Sequence, residues 1–395
     1  MLAGKSLLVG VTGSVAAYKS VEIVRGLKRE GASVWVIMTE ASSRFVTPLS
    51  LELASGGPVF RDIFDPPLSH TELTAEADLF IVAPATANII GKYSQGIADD
   101  LLSASLLAYR GKLLFAPAMN WRMYENPVVR RNLDILKSLG VLFVGPEEGD
   151  LACGEKGMGR MSEPERVIEA IQFALTPQDL AGERVLVTAG PTREYLDPIR
   201  FISNRSSGKM GYAVAKMAQR RGAEVTLISG PVSLRPPDGI GLVTVDTAEE
   251  MRRAVMDRIG WSTVFVMSAA VADFSPGEAK AEKVGKTDEL LLQLKKTRDI
   301  LAEVGKLPVR PFVVGFSAET GQRQDRARRK LREKGMDMIV FNDVTRAGAG
   351  FDVDTNEVMI LREDREEPLP LMSKDKVASA ILDRVREELK ARGRD

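Results

Sequence analysis

The stretch SLLVGVTGSVAAYKSVEIVRGLKREGASVWVIMT, residues 6–39, decides the fold. SLLVGV is short, apolar and closed by a glycine turn, which reads as a buried strand. TGSVAAYKSVEIVRGLKREGA then reads as a helix: Val15, Tyr18, Val21, Ile23 and Leu27 supply an apolar stripe, and Gly31 marks its end. SVWVIMT is a second strand. Strand, glycine turn, helix and strand make a βαβ unit, and such units build right-handed, mostly parallel sheets.

Outward from this unit the alternation continues. LFIVAP (79–84), KLLFAPAM (112–119) and VLFVG (141–145) read as further buried strands, the first two ending in proline-containing loops. Ser162 with Glu165 reads as a capping box, with Pro164 in the first turn of a helix running to about Leu175. ALTPQDLAGE (174–183) is the natural linker, after which the pattern restarts. RVLVTAGPT is a strand entering a Gly-Pro turn, GKMGYAVAKMAQRRGA a helix and EVTLISGP a strand. TVFVMSAAVADF (263–274), FVVGFSAET (312–320) and MIVFND (338–343) add strands, and Ser373 opens a closing helix with Val377, Ile381, Val385 and Leu389 on one face. The expected fold is α/β: two doubly wound Rossmann-like domains, at residues 1–176 and 184–395.

Composition narrows the function. The chain is 44% hydrophobic and 27% charged, as soluble globular proteins are. Lysine plus arginine equal aspartate plus glutamate at 54 each, so no general field draws the chain to nucleic acid or anionic membrane, and an anionic substrate needs a local cluster. One cysteine excludes an intramolecular disulfide framework and fits a reducing compartment. The first residues superficially resemble a signal peptide, but the apolar run is broken by Gly10, Thr12, Gly13 and Ser14. No run approaches the roughly 18–20 residues that span a bilayer, and a cytoplasmic location is expected.

The loops at the carboxyl ends of the strands carry the chemistry. Gly10-Val11-Thr12-Gly13-Ser14 joins a strand to a helix N-terminus, where unpaired N–H groups and the helix dipole favour anions. It lacks the G-x-G-x-x-G fingerprint, so on the residues alone it is an anion or nucleotide turn, or a tight turn that binds nothing. Pro84-Ala85-Thr86-Ala87-Asn88, Pro117-Ala118-Met119-Asn120 and an SHTEL loop holding His70, the single histidine, converge on the same edge. Alone, His70 reads equally as an exposed loop residue, Asn88 and Asn120 as turn residues, and Cys153 as a small buried apolar group. Gly154, Gly157 and Gly159 beside Cys153 favour a lid over a core position.

GVTGSVAAYK, the Ser69-His70 pair, APATANII, PAMNWRM and ACGEKGMGRM, in this order, resemble the flavin-containing cysteine decarboxylase family. The resemblance implies FMN held by Gly13, Ser14, Thr86, Ala87 and Asn88, and domains that assemble as trimers. Loss of CO₂ from a cysteinyl amide needs an electron sink, and flavin provides one by oxidising CH₂–SH to a thioaldehyde. The resemblance gives His70 the oxidation and decarboxylation half, Asn120 the substrate carboxylate, and Cys153 the proton of the reductive half. A thiol of pKa about 8.5 is mostly protonated at neutral pH, which suits an acid.

VLVTAGPTREYLDPIRFISNRSSGKMGYAVA, with the chain from about 184 to 390, resembles the phosphopantothenate–cysteine ligases. Arg200, Asn204 and Lys209 with serines and glycines form a pocket for a phosphorylated acid, the alternative being a polar βα loop. The implied reaction activates that acid with CTP to an acyl-cytidylate, which the amine of cysteine opens; it needs cations around a triphosphate and Mg²⁺ on a carboxylate. Asp273 ends a strand at the ligand edge and is the expected Mg²⁺ ligand. Lys283, Lys286, Lys296, Lys330 and Lys334 are candidates for the phosphates. Lys330 and Lys334, four apart, share a face of an expected helix, or simply a solvated one. By resemblance Asn204 supports the cytidylate step, Lys283 the attack by cysteine, and Ala269 and Phe316 line the nucleotide site. Two departures stand out: EKVGK replaces a denser lysine run, and Lys296-Thr297-Arg298-Asp299-Ile300 replaces Lys-Asn-Pro-Asp-Ile, with Arg298 a substitute charge. The two domains in this order resemble the bacterial bifunctional enzymes of coenzyme A biosynthesis, expected as homo-oligomers of trimeric decarboxylase and dimeric ligase units. A chain with one active half, or a flavin-binding protein without turnover, are the rival readings.

Overall fold

The apolar run Ser6–Val11 forms strand β1 with both faces buried: Leu7, Val9 and Val11 join one core cluster and Leu8 another. A parallel sheet covered by helices on both sides demands this, which is why the run is continuous rather than alternating. The structure, a computed structural model, describes residues 2–64, 69–151, 154–285, 290–321 and 324–393. Its contacts divide the chain into two units, Met1–Thr176 and Pro177–Asp395.

In the first unit β1 is followed by β2 (Ser33–Met38), β3 (Val59–Phe60), β4 (Leu79–Ala85), β5 (Lys112–Pro117) and β6 (Leu142–Phe143). They pair in parallel in the order β3-β2-β1-β4-β5-β6. The chain turns back between β1 and β4, and the crevice at the carboxyl ends there is where such sheets bind ligands. β7 (Glu147–Asp150) and β8 (Lys156–Arg160) form a separate antiparallel hairpin. The helices are α1 (Tyr18–Arg29), α2 (Pro48–Ser55), α3 (Ser69–Ala75), α4 (Ala87–Gln95), α5 (Leu101–Ala108), α6 (Trp121–Glu125), α7 (Pro127–Ser138) and α8 (Pro164–Leu175). Ile23, Val24 and Leu27 of α1 pack with Val167 and Ile171 of α8 in the first cluster; Ile89, Leu102 and Leu133 of α4, α5 and α7 lie in the second.

Three local expectations change. Ser14 caps a short 3₁₀ turn, Val15–Ala17, and α1 begins only at Tyr18. The tighter turn shifts the helical phase, so Val15 and Tyr18 are exposed rather than part of the apolar stripe. The SHTEL segment is helical: His70 stands in the first turn of α3. The Ser162–Glu165 capping box does not form. Glu163 occupies the N-cap without a side-chain cap bond, because its carboxylate pairs with Lys19 at 3.0 Å and Arg160 at 2.5 Å.

The second unit repeats the plan at larger scale. Its strands are β9 (Arg184–Ala189), β10 (Arg193–Tyr195), β11 (Phe201–Ser203), β12 (Glu224–Ser229), β13 (Gly241–Thr244), β14 (Val264–Met267), β15 (Phe274–Pro276), β16 (Leu294–Lys296), β17 (Phe312–Glu319), β18 (Met338–Asp343), β19 (Thr355–Leu361) and β20 (Glu366–Ser373). The main sheet runs β13-β12-β9-β14-β17-β18-β19-β20, parallel as far as β18, with β19 antiparallel to both β18 and β20. Helices α10 (Ala248–Met256), α11 (Ile300–Gly305) and α12 (Gln324–Glu333) bury Met251, Val255, Val304 and Leu331 against Leu186, Phe265 and Val313. Helix α9 (Lys209–Arg220) packs on β9 and β12, and α13 (Lys374–Ala391) on α9.

The strand expected over 263–274 stops at Met267. Beyond it the backbone is tied to the loop after β9 instead: the Ala270 N–H donates to Gly190 O at 2.9 Å and the Ala272 N–H to Thr192 Oγ1 at 3.0 Å. Lys334 lies one residue past the end of α12 rather than inside it.

Candidate functional sites at the strand ends

In the first unit the loops after β1, β2, β4 and β5 meet around a cavity of ≈ 580 Å³, within the range of cofactor sites. It is lined by Thr12, Gly13 and Ser14, by Thr39, Glu40 and Ala41, by Thr86, Ala87, Asn88 and Ile89, and by Lys92, Asp100, Ala118, Met119 and Met123. Thr12, buried to 3% exposure, pins two of these loops together. Its hydroxyl donates to Pro84 O at 2.7 Å and accepts the Thr86 N–H at 3.3 Å. The Ala118 N–H donates to Ala85 O at 3.0 Å, joining the third. Gly13 has to be glycine: a Cβ there would lie 2.6 Å from Ala41 Cβ.

One wall of this cavity suits an anionic group. The first N–H groups of α4, at Ala87 and Asn88, have no acceptor inside the helix, and Thr86 offers no side-chain cap. Lys92 supplies a cation but is paired with Asp99 at 2.7 Å and Asp100 at 3.1 Å. All five residues expected to hold flavin, Gly13, Ser14, Thr86, Ala87 and Asn88, line it. Asn120 adjoins the lining residue Met119; its Oδ1 accepts the Arg122 N–H at 2.8 Å and caps α6. His70 is half-buried, and its Nδ1 has no partner among the described residues. Cys153 lies outside the described residues.

In the second unit a cavity of ≈ 190 Å³ opens over the ends of β14, β17 and β18. Ala269, Asp273, Lys296, Phe316, Lys330 and Lys334 all line it, with Thr297, Arg298 and Asp299. The Thr297 hydroxyl donates to Ala272 O at 2.7 Å and its N–H to Asp273 O at 2.9 Å, so this residue braces the Asp273 turn. Two of the four cations carry partners: Lys330 bonds Glu319 at 2.7 Å, and Lys334 bonds Asp299 at 2.9 Å. Burial pushes both carboxyls up most strongly, but the lysine bonds together with the Ser317 hydroxyl at Glu319, the Ala302 N–H at Asp299 and nearby positive charge hold both below the ordinary value. Lys296 and Arg298 have no ion pair recorded among the described residues. Among the described residues no three His, Cys, Asp or Glu side chains gather to hold a metal. A lone Asp273 still fits Mg²⁺, which binds one or two carboxylates plus substrate phosphates.

Arg200, Asn204 and Lys283 are not in this cavity's lining. Asn204 donates to Ala270 O at 3.3 Å and Val271 O at 3.1 Å, gripping the loop whose neighbouring residues line the cavity. Asp197, buried to 1% exposure, accepts the N–H groups of Ile199 and Arg200 at 2.8 Å each and of Val284 at 3.1 Å. Arg200 donates to Val284 O, so Lys283 is held beside Arg200. Lys209, expected in a phosphate pocket, is committed elsewhere: it bonds Asp354 at 2.6 Å and Asp352 O at 2.7 Å. Lys286 lies outside the described residues. Thr12, Asp197 and Thr297 were not singled out in the sequence although each sits inside a quoted motif; their bonds to Pro84, Val284 and Ala272 reveal them.

Residues 1–176 match the Flavoprotein family model, and residues 180–389 match the model described as DNA/pantothenate metabolism flavoprotein C-terminal domain. The Coenzyme A biosynthesis bifunctional protein CoaBC of Vibrio cholerae serotype O1 is 44% identical over 396 residues, covering 98% of this chain and 99% of that protein. The protein of the same name from Bacillus subtilis (strain 168) is 45% identical over 395 residues, covering 98% and 97%. Among solved structures, the C-terminal domain of a CoaBC protein covers 54% of this chain and 99% of its own at 40% identity and TM-score 0.47. The FMN-dependent cysteine decarboxylase SpaF covers 43% and 99% at 31% identity and TM-score 0.38.

Proposed function

The chain belongs to the bifunctional coenzyme A biosynthesis proteins, with a flavoprotein domain at its N-terminal end, and we propose a division of labour between its two units. It is a phosphopantothenate–cysteine ligase and a phosphopantothenoylcysteine decarboxylase. In our reading residues 184–395 join cysteine to 4'-phosphopantothenate at the expense of CTP, through an acyl-cytidylate. Residues 1–176 then remove CO₂ from the product to give 4'-phosphopantetheine.

The observation that carries the decarboxylase assignment is the convergence of five expected residues on one cavity at the β1/β4 switch. FMN is the cofactor we propose there, held by Gly13, Ser14, Thr86, Ala87 and Asn88; when bound it supplies a two-electron sink for the thiol carbon. The chain's own residues do the rest. Asn120, fixed by its cap on α6, orients the substrate carboxylate. The His70 imidazole, whose buried Nδ1 has no partner among the described residues, accepts and returns a proton at the reacting thiol. Cys153 donates the proton that completes the saturated thiol.

For the ligase half, Asp273 would hold Mg²⁺ arriving with the nucleotide, and Lys296, Lys330 and Lys334 the phosphates, with Ala269 and Phe316 against the base and ribose. Lys330 and Lys334 exchange their carboxylate partners, Glu319 and Asp299, for phosphate when CTP enters. Asn204 supports cytidylate formation, Lys283 the attack by cysteine, and Arg200 the phosphorylated acid. No helix among the described residues is long and apolar enough to cross a membrane, and we place the enzyme in the cytoplasm. We propose a homo-oligomer of trimeric first units and dimeric second units, with exposed Val15, Tyr18, Phe45, Leu49 and Leu53 in the first and Phe201, Phe274 and Leu294 in the second as candidate contact residues.

The test is to incubate the protein with 4'-phosphopantothenate, cysteine and either CTP or ATP, and to measure CMP or AMP with pyrophosphate. CMP formation that requires both other substrates is expected. Turnover with ATP and not CTP would overturn the nucleotide assignment.

A further inference from the structure

Strand β8 lies directly on the segment that carries Asn120. The Met119 N–H donates to Gly159 O at 3.0 Å. The backbones touch so closely that a Cβ at Gly159 would lie 2.2 Å from Met119 O, and one at Gly157 would lie 2.7 Å from Trp121 Cβ. Glu155, at the entry to β8, closes this contact with its side chain. Its Oε2 accepts the Trp121 indole N–H at 2.7 Å, and its Oε1 accepts from Arg122 Nη2 at 2.6 Å. The Arg122 guanidinium also stands 5.4 Å over the Trp121 ring.

Half-exposed ion pairs add little to stability. A carboxylate divided between two donors on adjacent residues sets geometry instead, because both bonds hold only in one register. Trp121 and Arg122 form the first turn of α6, and the Arg122 N–H is the group that Asn120 caps. We infer that Glu155 is a positioning residue for decarboxylation: through Trp121 and Arg122 it sets the first turn of α6, and with it the Asn120 side chain at the edge of the flavin cavity. The inference rests on the decarboxylase reading of the first unit.

The test uses the full-length flavin-loaded protein and the variants Glu155→Ala, Glu155→Gln and Trp121→Phe. CO₂ release from phosphopantothenoylcysteine is measured with ligase turnover, flavin absorbance and tryptophan emission. Misplacing a reacting group by about 1 Å costs up to about 100-fold in rate. Glu155→Ala is therefore expected to lower kcat for CO₂ release by about 10- to 100-fold, with KM within about twofold. Flavin content and ligase turnover should match wild type, and the emission of Trp121 should shift. Glu155→Gln keeps an acceptor for the indole and should fall between. Adding Trp121→Phe to Glu155→Ala should cost little more than Glu155→Ala alone, as coupled residues do. Wild-type kcat in Glu155→Ala, or a loss matched by lost flavin and lost ligase turnover, would overturn the inference. A wild-type protein that releases no CO₂ would overturn the decarboxylase reading and the inference with it.

Discussion

Replacing Gly13 by alanine tests the cavity proposed for flavin with a single methyl group. The added Cβ would lie 2.6 Å from Ala41 Cβ, 3.0 Å from Ala41 C and 3.1 Å from Ala41 O. Carbon atoms rest at about 3.5–4.0 Å, so the loops after β1 and β2 must separate by about 1 Å. Neither yields easily. Ala41 sits in a 3₁₀ turn, Glu40–Arg44, where buried Ser42 donates its hydroxyl to Thr39 O at 2.6 Å, and Thr12 ties the other loop to β4. Overpacking of this kind costs about 1–3 kcal/mol. If it falls on the bound state, the Kd for FMN rises about 5- to 150-fold. The assay is quenching of flavin fluorescence on titration into flavin-free protein, with Gly57→Ala as control, since a Cβ at Gly57 meets nothing within 4 Å. A Gly13→Ala protein that binds FMN within about twofold of wild type refutes the reasoning, as does a loss equalled by Gly57→Ala.

Other consequences are more local. Arg221, with a side chain 5% exposed, bonds Asp179 at 2.7 and 2.8 Å and Asp383 at 2.7 Å. Asp179 is also largely buried, so Arg221→Ala should destabilise the second unit by about 3–5 kcal/mol in urea unfolding. Asp383→Ala, at a half-exposed partner, should cost about 1 kcal/mol or less. Asp337 accepts from Arg310 at 3.0 Å, Arg392 at 2.7 Å and the Val313 N–H at 2.7 Å. Burial pushes its carboxyl up, but these bonds outweigh it and hold the carboxyl below its ordinary value. Its contribution is therefore full above about pH 4 and lost as pH falls through the lower folded value. The stability gap between wild type and Asp337→Asn in urea should narrow below pH 4, and a gap constant from pH 7 to pH 3 would contradict this. Lys296→Gln should raise KM for CTP about 10- to 100-fold by removing one charge-assisted phosphate bond, without changing CO₂ release from supplied intermediate. Cys153→Ser should still release CO₂ yet fail to form the saturated thiol, which mass spectrometry of the product distinguishes.

The parallel strands were legible because both of their faces are buried, so their apolar runs are unbroken; MIVFND is a strand over the very residues expected. The antiparallel pair β19 and β20 was not, since EEPLPLMS carries two prolines and little alternation, and an edge strand tolerates both. The glycines near Cys153 were legible as unusual, but the contacts that two of them make were not. Gly157 and Gly159 serve close packing against Trp121 and Met119, a tertiary demand that composition does not encode. The sites show the same division. Motifs that follow strands were placed at the ligand edge by topology alone. Lys330 pairs with Glu319 on the preceding strand and Lys334 with Asp299 before α11, so helical spacing could suggest a shared face but not the carboxylates waiting there.

The central claim is that one chain first joins cysteine and then decarboxylates the product. Cysteine labelled with carbon-13 at its carboxyl tests it by following labelled CO₂. Starting from 4'-phosphopantothenate and labelled cysteine, release should require CTP. Starting from labelled phosphopantothenoylcysteine, release should proceed at the same flavin content with no nucleotide. Labelled CO₂ from free cysteine without CTP, or none from the supplied intermediate, would contradict the account.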